Sequence, residues 1–380
     1  MIPQNTTFRL PLPDAALRFH PIVFLYENQY RIMVWTVKPV LMWVQIGDKT
    51  YYDDACGVLR SATPVHRMTV PQQALDQAGS YTLYFRRIEN REPYHADTKD
   101  TVSVTYPFFP IAPGSTVRAC QITDSHGSDE VAVKAGEAEA FDLLLLTGDL
   151  QDHMQTTEEY AHMYRIASAL AGGRIPVLYA RGNHDCRGAA AELFDRYTPL
   201  DADRGYYYAC AGDLCFLILD CGEDKPDTNV EYSGTICFAP YREKEESFLK
   251  NLLAAADFPP RQNMLNLVIS HTPFPYTKYP PFDIEVERYT RWLRMLKASF
   301  APQLFISGHL HHAQFSPIGG ELDCKGQICP LVVGSDSPGH GGDGSTMTVT
   351  FYRFSKDEIT VRFINESHQI KEIHTITTQY

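Results

Sequence analysis

The apolar positions of this chain fall into two textures. In the first hundred or so residues, short runs rich in β-branched and aromatic side chains recur at 31–37, 41–46, 65–70, 81–86 and 101–106, with turn clusters such as Gly47-Asp48 and Gly79-Ser80 between them. The last run alternates polar and apolar residues strictly, as a half-buried strand does. Apart from one short helical turn near Gln72 to Asp76, nothing interrupts the strands. The spacing predicts an antiparallel β-sandwich of roughly a hundred residues, with turn signals at the intervals such modules use.

The run YPFFPIAPG at 106–114 holds three prolines and a glycine. Proline lacks the N–H that a central strand or a helix needs, so this run reads as a linker. Beyond it, strands alternate with helical patterns, the signature of a sheet covered by helices. Thr156 with Glu159 forms a capping-box start; Tyr160, Met163, Tyr164 and Ala167 follow at helical spacing before Gly172-Gly173 ends the run. Two more amphipathic helices are marked by Phe248, Leu249, Leu252 and Leu253, and by Tyr289, Trp292, Leu293 and Leu296. Adjacent strands at 206–210 and 214–220, and a hairpin over 346–363, point to a second sheet. The expected organisation is a β-sandwich at 1–110, an α/β domain at 111–365 and a tail at 366–380.

Composition narrows the function. A net charge of -12 disfavours a nucleic-acid duplex as partner, since phosphate backbones bind through clustered Lys and Arg. Nine cysteines, among them Cys120, Cys210, Cys215 and Cys221 in apolar contexts, read as reduced core residues of an intracellular protein. Cys324 and Cys329 are close enough in sequence to pair. Residues 1–10 show no basic segment followed by an apolar one, and no apolar run reaches the roughly 20 residues of a membrane span. A cytoplasmic protein making no membrane contact is the expectation.

Five apolar runs end in metal-type residues: Asp124-Ser125-His126, Gly148-Asp149, Gly182-Asn183-His184-Asp185, His271, and Gly308-His309-Leu310-His311. Open α/β sheets place ligands at the carboxyl ends of their strands. Together the five supply two carboxylates, one amide and four imidazoles (Asp124, Asp149, Asn183, His126, His271, His309, His311). Mixed O/N donors of this kind suit Mn, Fe, Zn or Co rather than Ca or Mg. Seven ligands exceed the need of one ion with an open position, whereas two divalent ions sharing one carboxylate use them all. Any one motif could be an ordinary polar turn; it is the joint occurrence at five strand ends that carries the reading.

In these motifs, Asp124-x-His126, Gly148-Asp149-x-x-Asp152, Gly182-Asn183-His184-Asp185, His271 and Gly308-His309-x-His311, the chain resembles the calcineurin-like metallophosphoesterases. The resemblance spans about 117–363. It implies a four-layer α/β/β/α sandwich, here preceded by a small all-β, fibronectin type III- or immunoglobulin-like domain. It also implies a dinuclear centre with Asp124, His126, Asp149 and His311 on one ion, and Asn183, His271, His309 and the bridging Asp149 on the other. His184 would contact the substrate phosphate or protonate the leaving oxygen, and Asp185 would orient it. The implied reaction is hydrolysis of a small phosphomonoester or phosphodiester by a metal-bound hydroxide. Two divalent ions outweigh two carboxylates and a hydroxide by about one charge, so an acidic chain can still attract phosphate.

The amino-terminal β-sandwich ahead of these motifs, and the run from Tyr206-Tyr207-Tyr208 to Leu219-Asp220, resemble the purple acid phosphatase subgroup, but Asp152 stands where those enzymes carry a ferric-binding tyrosine, so no purple chromophore is expected. Protein serine/threonine phosphatases typically read GNHE, where this chain has Asp185. The aromatic, proline-rich stretch 272–282 reads as a stiff pocket wall, and Tyr232, Tyr241 and Arg242 as groups able to face a substrate. His312 reads as exposed and Cys186 as a buried bystander. The rival reading is a silent scaffold that uses the same fold to bind a protein or glycan, with the amino-terminal sandwich offering the protein contact.

Overall fold

A computed structural model describes residues 11–256, 258, 264–276, 279–338 and 346–378. The first ten residues, on which the leader expectation rests, lie outside them.

Two sheets stand face to face. The larger has nine strands in the order Ile370–Thr377, Glu358–Asn365, Thr348–Phe354, Val117–Ile122, Leu143–Leu146, Pro176–Tyr179, Ile22–Tyr26, Gln29–Trp35 and Val65–Pro71. The smaller runs Tyr207–Ala211, Leu214–Leu219, Leu265–Ser270, Leu304–Ser307, Leu331–Val333 and Gln314–Ser316. Helices Asp129–Gly136 and Ala161–Leu170 share a core with the large sheet, and Phe238–Ala254 and Val286–Ser299 contribute to the core of the small one. These are the four layers that the motifs implied. The period of two explains the packing: in Leu265–Ser270, Leu265, Leu267 and Ile269 join the core between the sheets, while Val268 joins the core under the helices. The Thr156–Glu159 capping box forms as the sequence indicates.

The amino-terminal region is all-β, but residue 110 does not divide two sheet systems. Ile22–Tyr26 pairs in parallel with Pro176–Tyr179 (Val23 opposite Pro176), so three amino-terminal strands extend the large sheet. A second layer, with Val102–Pro107, Ser80–Arg91, Val40–Ile46 and Lys49–Tyr52, shares its core with them. The sandwich therefore has one layer of its own and one continuous with the large sheet. The signal is present in IVFLY at 22–26, all five buried: an unbroken apolar run marks a strand covered on both faces, whereas an alternating run marks one covered on a single face.

Two other expectations change. Residues 370–377 are not a tail but an edge strand paired with Glu358–Asn365. Cys210 and Cys215, read as reduced, are disulfide-bonded, because hairpin register sets them directly opposite each other. Cys324 and Cys329, by contrast, are free.

Candidate metal centre

The large sheet supplies three parallel strands in close register, Ile122 beside Leu146 and Leu146 beside Tyr179, so their carboxyl ends finish level. The small sheet presents the ends of Leu265–Ser270 and Leu304–Ser307 opposite, likewise parallel. Gln121 ties the layers beneath the site, its amide donating to Thr147 Oγ1 (2.7 Å) and to the Ser307 carbonyl (2.9 Å). All seven candidate ligands emerge from these five strand ends.

They gather in two groups. Asp124, His126, Asp149 and His311 offer ligand atoms all within 4.8 Å of one another, and so do Asp149, His271 and His309; Asp149 belongs to both. The Asn183 oxygen lies 3.1 Å from His271 Nε2 and 2.9 Å from His309 Nδ1, which places it in the second group. The backbone departs from ordinary geometry to achieve this. Asp124, His126, Asp149, His309 and His311 have φ of 54°, 43°, 53°, 74° and 54°, left-handed values that cost about 1–3 kcal/mol each for residues other than glycine. Close approach does the rest: a Cβ on Gly182 would strike the Asp149 carboxylate, and one on Gly148 would lie 2.5 Å from the Gly182 nitrogen.

The imidazoles are aimed by what holds their other nitrogen. His271 Nδ1 donates to the Thr147 carbonyl (2.7 Å), leaving Nε2 toward Asp149 Oδ2 (3.0 Å). His309 Nε2 faces Asp224 (3.3 Å), leaving Nδ1 inward. His126 Nδ1 faces Asp152 Oδ1 (2.8 Å), leaving Nε2 3.0 Å from His311 Nε2. Asp152 and Asp224, which the motifs do not assign as ligands, thus set the ring orientations.

Does this donor set fit ions? Two ligand atoms each about 2.1 Å from one ion and roughly at right angles lie about 3.0 Å apart. The contacts among these lone pairs are of that size. The Asn183 amide gives a sharper test: its oxygen points at acceptors, and turning the amide over would let nitrogen donate to Asp149, His271 and His309 at 3.1, 3.1 and 2.9 Å. A cation at the same point would satisfy the oxygen where it stands, with the amide nitrogen left 2.9 Å from Arg187 Nη2, and on the oxygen side the residues fit a metal. Protons fill that need otherwise. Burial alone would lower the His271 pKa, but the Asp149 and Asp124 carboxylates overcome it and push it up to about 10. Burial would likewise raise Asp149, yet His271 holds it well below the usual carboxylate range. Asp124, buried beside Asp149, is raised.

Asp185 does not orient His184. Its buried carboxylate accepts from the backbone nitrogens of Gly182 (2.7 Å) and Asp149 (3.1 Å), from the Tyr179 hydroxyl (3.1 Å) and from the Gln151 amide. Successive residues of the short 3₁₀ turn point apart, so Asp185 fixes the loop instead. His184 Nδ1 donates to the Asp152 carbonyl (2.6 Å), and its Nε2 accepts from Arg187 Nη1 (2.8 Å). Burial lowers the His184 pKa and the Arg187 charge adds to the effect. With Nε2 taken by a donor, the ring stands as an acceptor, which weighs against the leaving-group acid role.

Arg187 is the main residue that sequence reasoning missed. Its Nε and Nη2 grip the fully buried Glu223 carboxylate (2.6 and 2.8 Å), which also accepts from the Tyr232 hydroxyl (3.0 Å). Tyr241 and Arg242 do not face a substrate. Tyr241 donates to Asp220, and Arg242, 1% exposed, donates to the carbonyls of Cys221 and Glu223. From that segment it is Asp224 and Lys225 that line the cavity beside the ligands, about 570 Å³ in volume. Thr272, Pro273, Tyr276, Tyr279 and Phe282 form its wall as expected, residues 277 and 278 lying outside the described set. His312 is exposed, 3.4 Å from Asp336, and the Cys186 thiol contacts the Gly182 carbonyl, half-buried.

A purple acid phosphatase, PPD1 from yellow lupin (Lupinus luteus) seeds, superposes with a TM-score of 0.61 at 12% identity, covering 95% of this chain and 74% of that one. A predicted phosphoesterase from Streptococcus pneumoniae (TM-score 0.32, 11% identity) covers 70% of this chain and 99% of its own; a Vps29 single mutant from Entamoeba histolytica (0.30, 10%) covers 69% and 99%. No curated protein matches by sequence. A family model described as calcineurin-like phosphoesterase matches residues 117–313, more than half the chain and a span within which the seven candidate ligands fall, and the chain belongs to that family.

Proposed function

We infer that the protein is a hydrolase of small phosphomonoesters or phosphodiesters working at a centre of two divalent transition-metal ions, with Mn, Fe and Zn the candidates. The observation that carries this is the pair of ligand groups joined at Asp149 and held by left-handed backbone at five residues. Strain of this kind persists where the surrounding structure enforces it, as functional sites do. Such ions would polarise the ester phosphorus and activate the attacking water.

The chain's own residues do the rest. Asp152, Asp224 and the Thr147 carbonyl keep the inward imidazole nitrogens free for ligation. Arg187, anchored by Glu223, presents its remaining edge with His184 at the cavity floor, where a guanidinium suits phosphate oxygens. Tyr276, Tyr279 and Phe282 give one wall an aromatic face that suits an apolar or aromatic alcohol. The Cys210–Cys215 bond weakens the composition argument for a reducing compartment, so location takes no part in this reading.

The test is hydrolysis of a matched chromogenic phosphomonoester and phosphodiester by manganese-loaded protein beside a metal-free control. Metal-dependent turnover is expected, the preferred ester separating phosphatase from phosphodiesterase. His184→Ala should lower turnover with metal retained. No turnover of either ester by protein shown to hold two ions would favour the scaffold reading.

A further inference from the structure

A second cleft lies away from the metal-type cluster. About 820 Å³ in volume, it is larger than the cavity beside the ligands. Its floor is one face of the edge strand Val65–Pro71, where alternation brings Val65, Arg67 and Thr69 to the same side. One wall is the hairpin region of residues 52–63, and the other the helical turns of residues 193–197. The cleft thus joins the amino-terminal region to a segment that follows the GNHD loop by a few residues.

Its lining is unusual in two independent ways. Tyr52, Val58 and Leu193 are 51%, 64% and 43% exposed and converge on this rim, giving an apolar border open to solvent. Beneath them sit three arginines and three aspartates, not equally paired. Arg60 meets Asp53 at 3.2 Å, and Arg196 lies 3.6 Å from Asp195. Asp53 is further engaged by His66 Nδ1 (3.1 Å), and Asp54 accepts from the Gly57 backbone nitrogen. Arg67 alone of the three has no carboxylate within ion-pair reach among the described residues. Its Nη1 donates to the carbonyls of Asp195 (3.1 Å) and Leu200 (2.9 Å), which leaves the Nε–Nη2 edge without a protein acceptor among those residues. Burial, with Arg31 nearby, pushes the guanidinium below its ordinary value, and Asp201, Asp195 and Asp53 offset this only in part. Arg31, by contrast, holds Asp201 at 2.9 Å.

We propose that this cleft binds a small amphipathic carboxylate, its head bridging Nε and Nη2 of Arg67 and its apolar body lying along Val65, Val58, Leu193 and Tyr52. The planar Nε–Nη2 edge matches a carboxylate in bidentate fashion. The volume is that of an ordinary small-molecule site, and such sites favour junctions between structural units. The inference stands apart from the phosphoesterase reading, since none of these residues belongs to the metal-type cluster.

Calorimetric titration of the full chain with octanoate tests it, beside acetate as the head alone and octylammonium as the same body with the opposite charge. Saturable binding of one octanoate is expected, about tenfold or more tighter than acetate, and weakened about tenfold or more by Arg67→Met, as loss of a charge-assisted contact implies. Because Arg67 also holds two backbone carbonyls, a second variant guards the outcome: Val58→Asp, on the exposed rim, sets a carboxylate against the ligand body without a folding role and should weaken octanoate too. Octanoate that does not saturate, that binds Val58→Asp as tightly as the parent, or that octylammonium equals, overturns the proposal.

Discussion

The large sheet holds two regions that are built alike and behave differently. Near its middle, Val117–Ile122, Leu143–Leu146 and Pro176–Tyr179 end in Asp124, Asp149 and Asn183; at one side, Ile22–Tyr26 and Gln29–Trp35 are buried almost throughout and Val65–Pro71 mainly on one face, and the three supply no candidate ligand. Burial is therefore not what distinguishes the site. The difference lies in direction and backbone. The central strands run parallel, so their carboxyl ends finish together facing those of the second sheet, and left-handed φ values turn the side chains inward. The outer strands Ile22–Tyr26, Gln29–Trp35 and Val65–Pro71 pair antiparallel with one another, so their ends alternate between the two edges of the sheet. Chemistry collects where parallel strand ends do.

Substitutions in the two regions should separate activity from stability. The largest effect belongs to Asp149→Asn, which removes the carboxylate common to both ligand groups. Turnover of the manganese-loaded protein should fall by about 10³-fold or more, the several kcal/mol that metal charge stabilisation supplies, with metal content down by plasma emission analysis. Undiminished turnover would sink the shared-carboxylate arrangement. In the outer region, Met68→Ala empties a fully buried position and should cost about 2–5 kcal/mol in urea unfolding while leaving metal content as it was. Loss of metal in that variant would mean that the two regions are not energetically separate.

Smaller effects test the groups behind the ligands. Asp224→Asn and Asp152→Asn keep side-chain shape but weaken the hold on His309 and His126, and each should reduce metal affinity about 10–100-fold by competition with a chelating indicator. An unchanged affinity in both would assign the ring orientations to packing alone. The smallest effect is on pH dependence. His271 has a folded pKa of about 10 in the metal-free protein, above its ordinary 6.5, so its contribution to stability is complete below about pH 6.5 and is lost as pH rises through 10. The Tm of the chelated protein should fall across that window, whereas metal on Nε2 displaces the proton and should flatten the curve. Parallel curves with and without metal would show that His271 is not a ligand.

Much of the site was legible because its residues sit next to their strands in sequence. A strand end fixes where the next one or two side chains begin, so Asp124, Asp149, Asn183, His271 and His309 could be read from apolar runs alone. The residues that hold them were harder to see. Asp224 reaches His309 from 85 positions away and Glu223 grips Arg187 across 36, and no local period encodes such contacts. Asp185 misled for the opposite reason: adjacency to His184 suggested a partnership, but neighbours in a tight turn diverge, and the carboxylate serves the backbone of the loop.

The sequence alone determined the family, the layer pattern and the set of candidate ligands, since apolar periodicity and donor chemistry are local properties of the chain. Only the tertiary structure decided that the amino-terminal strands continue the large sheet, that Cys210 meets Cys215, that Arg187 and Asp224 back the site, and that Arg67 meets carbonyls but no carboxylate among the described residues of a second cleft. Strand pairing and the matching of charges depend on which segments meet after folding. Those meetings minimise exposed apolar surface and unpaired backbone over the whole molecule, a sum that no short stretch contains.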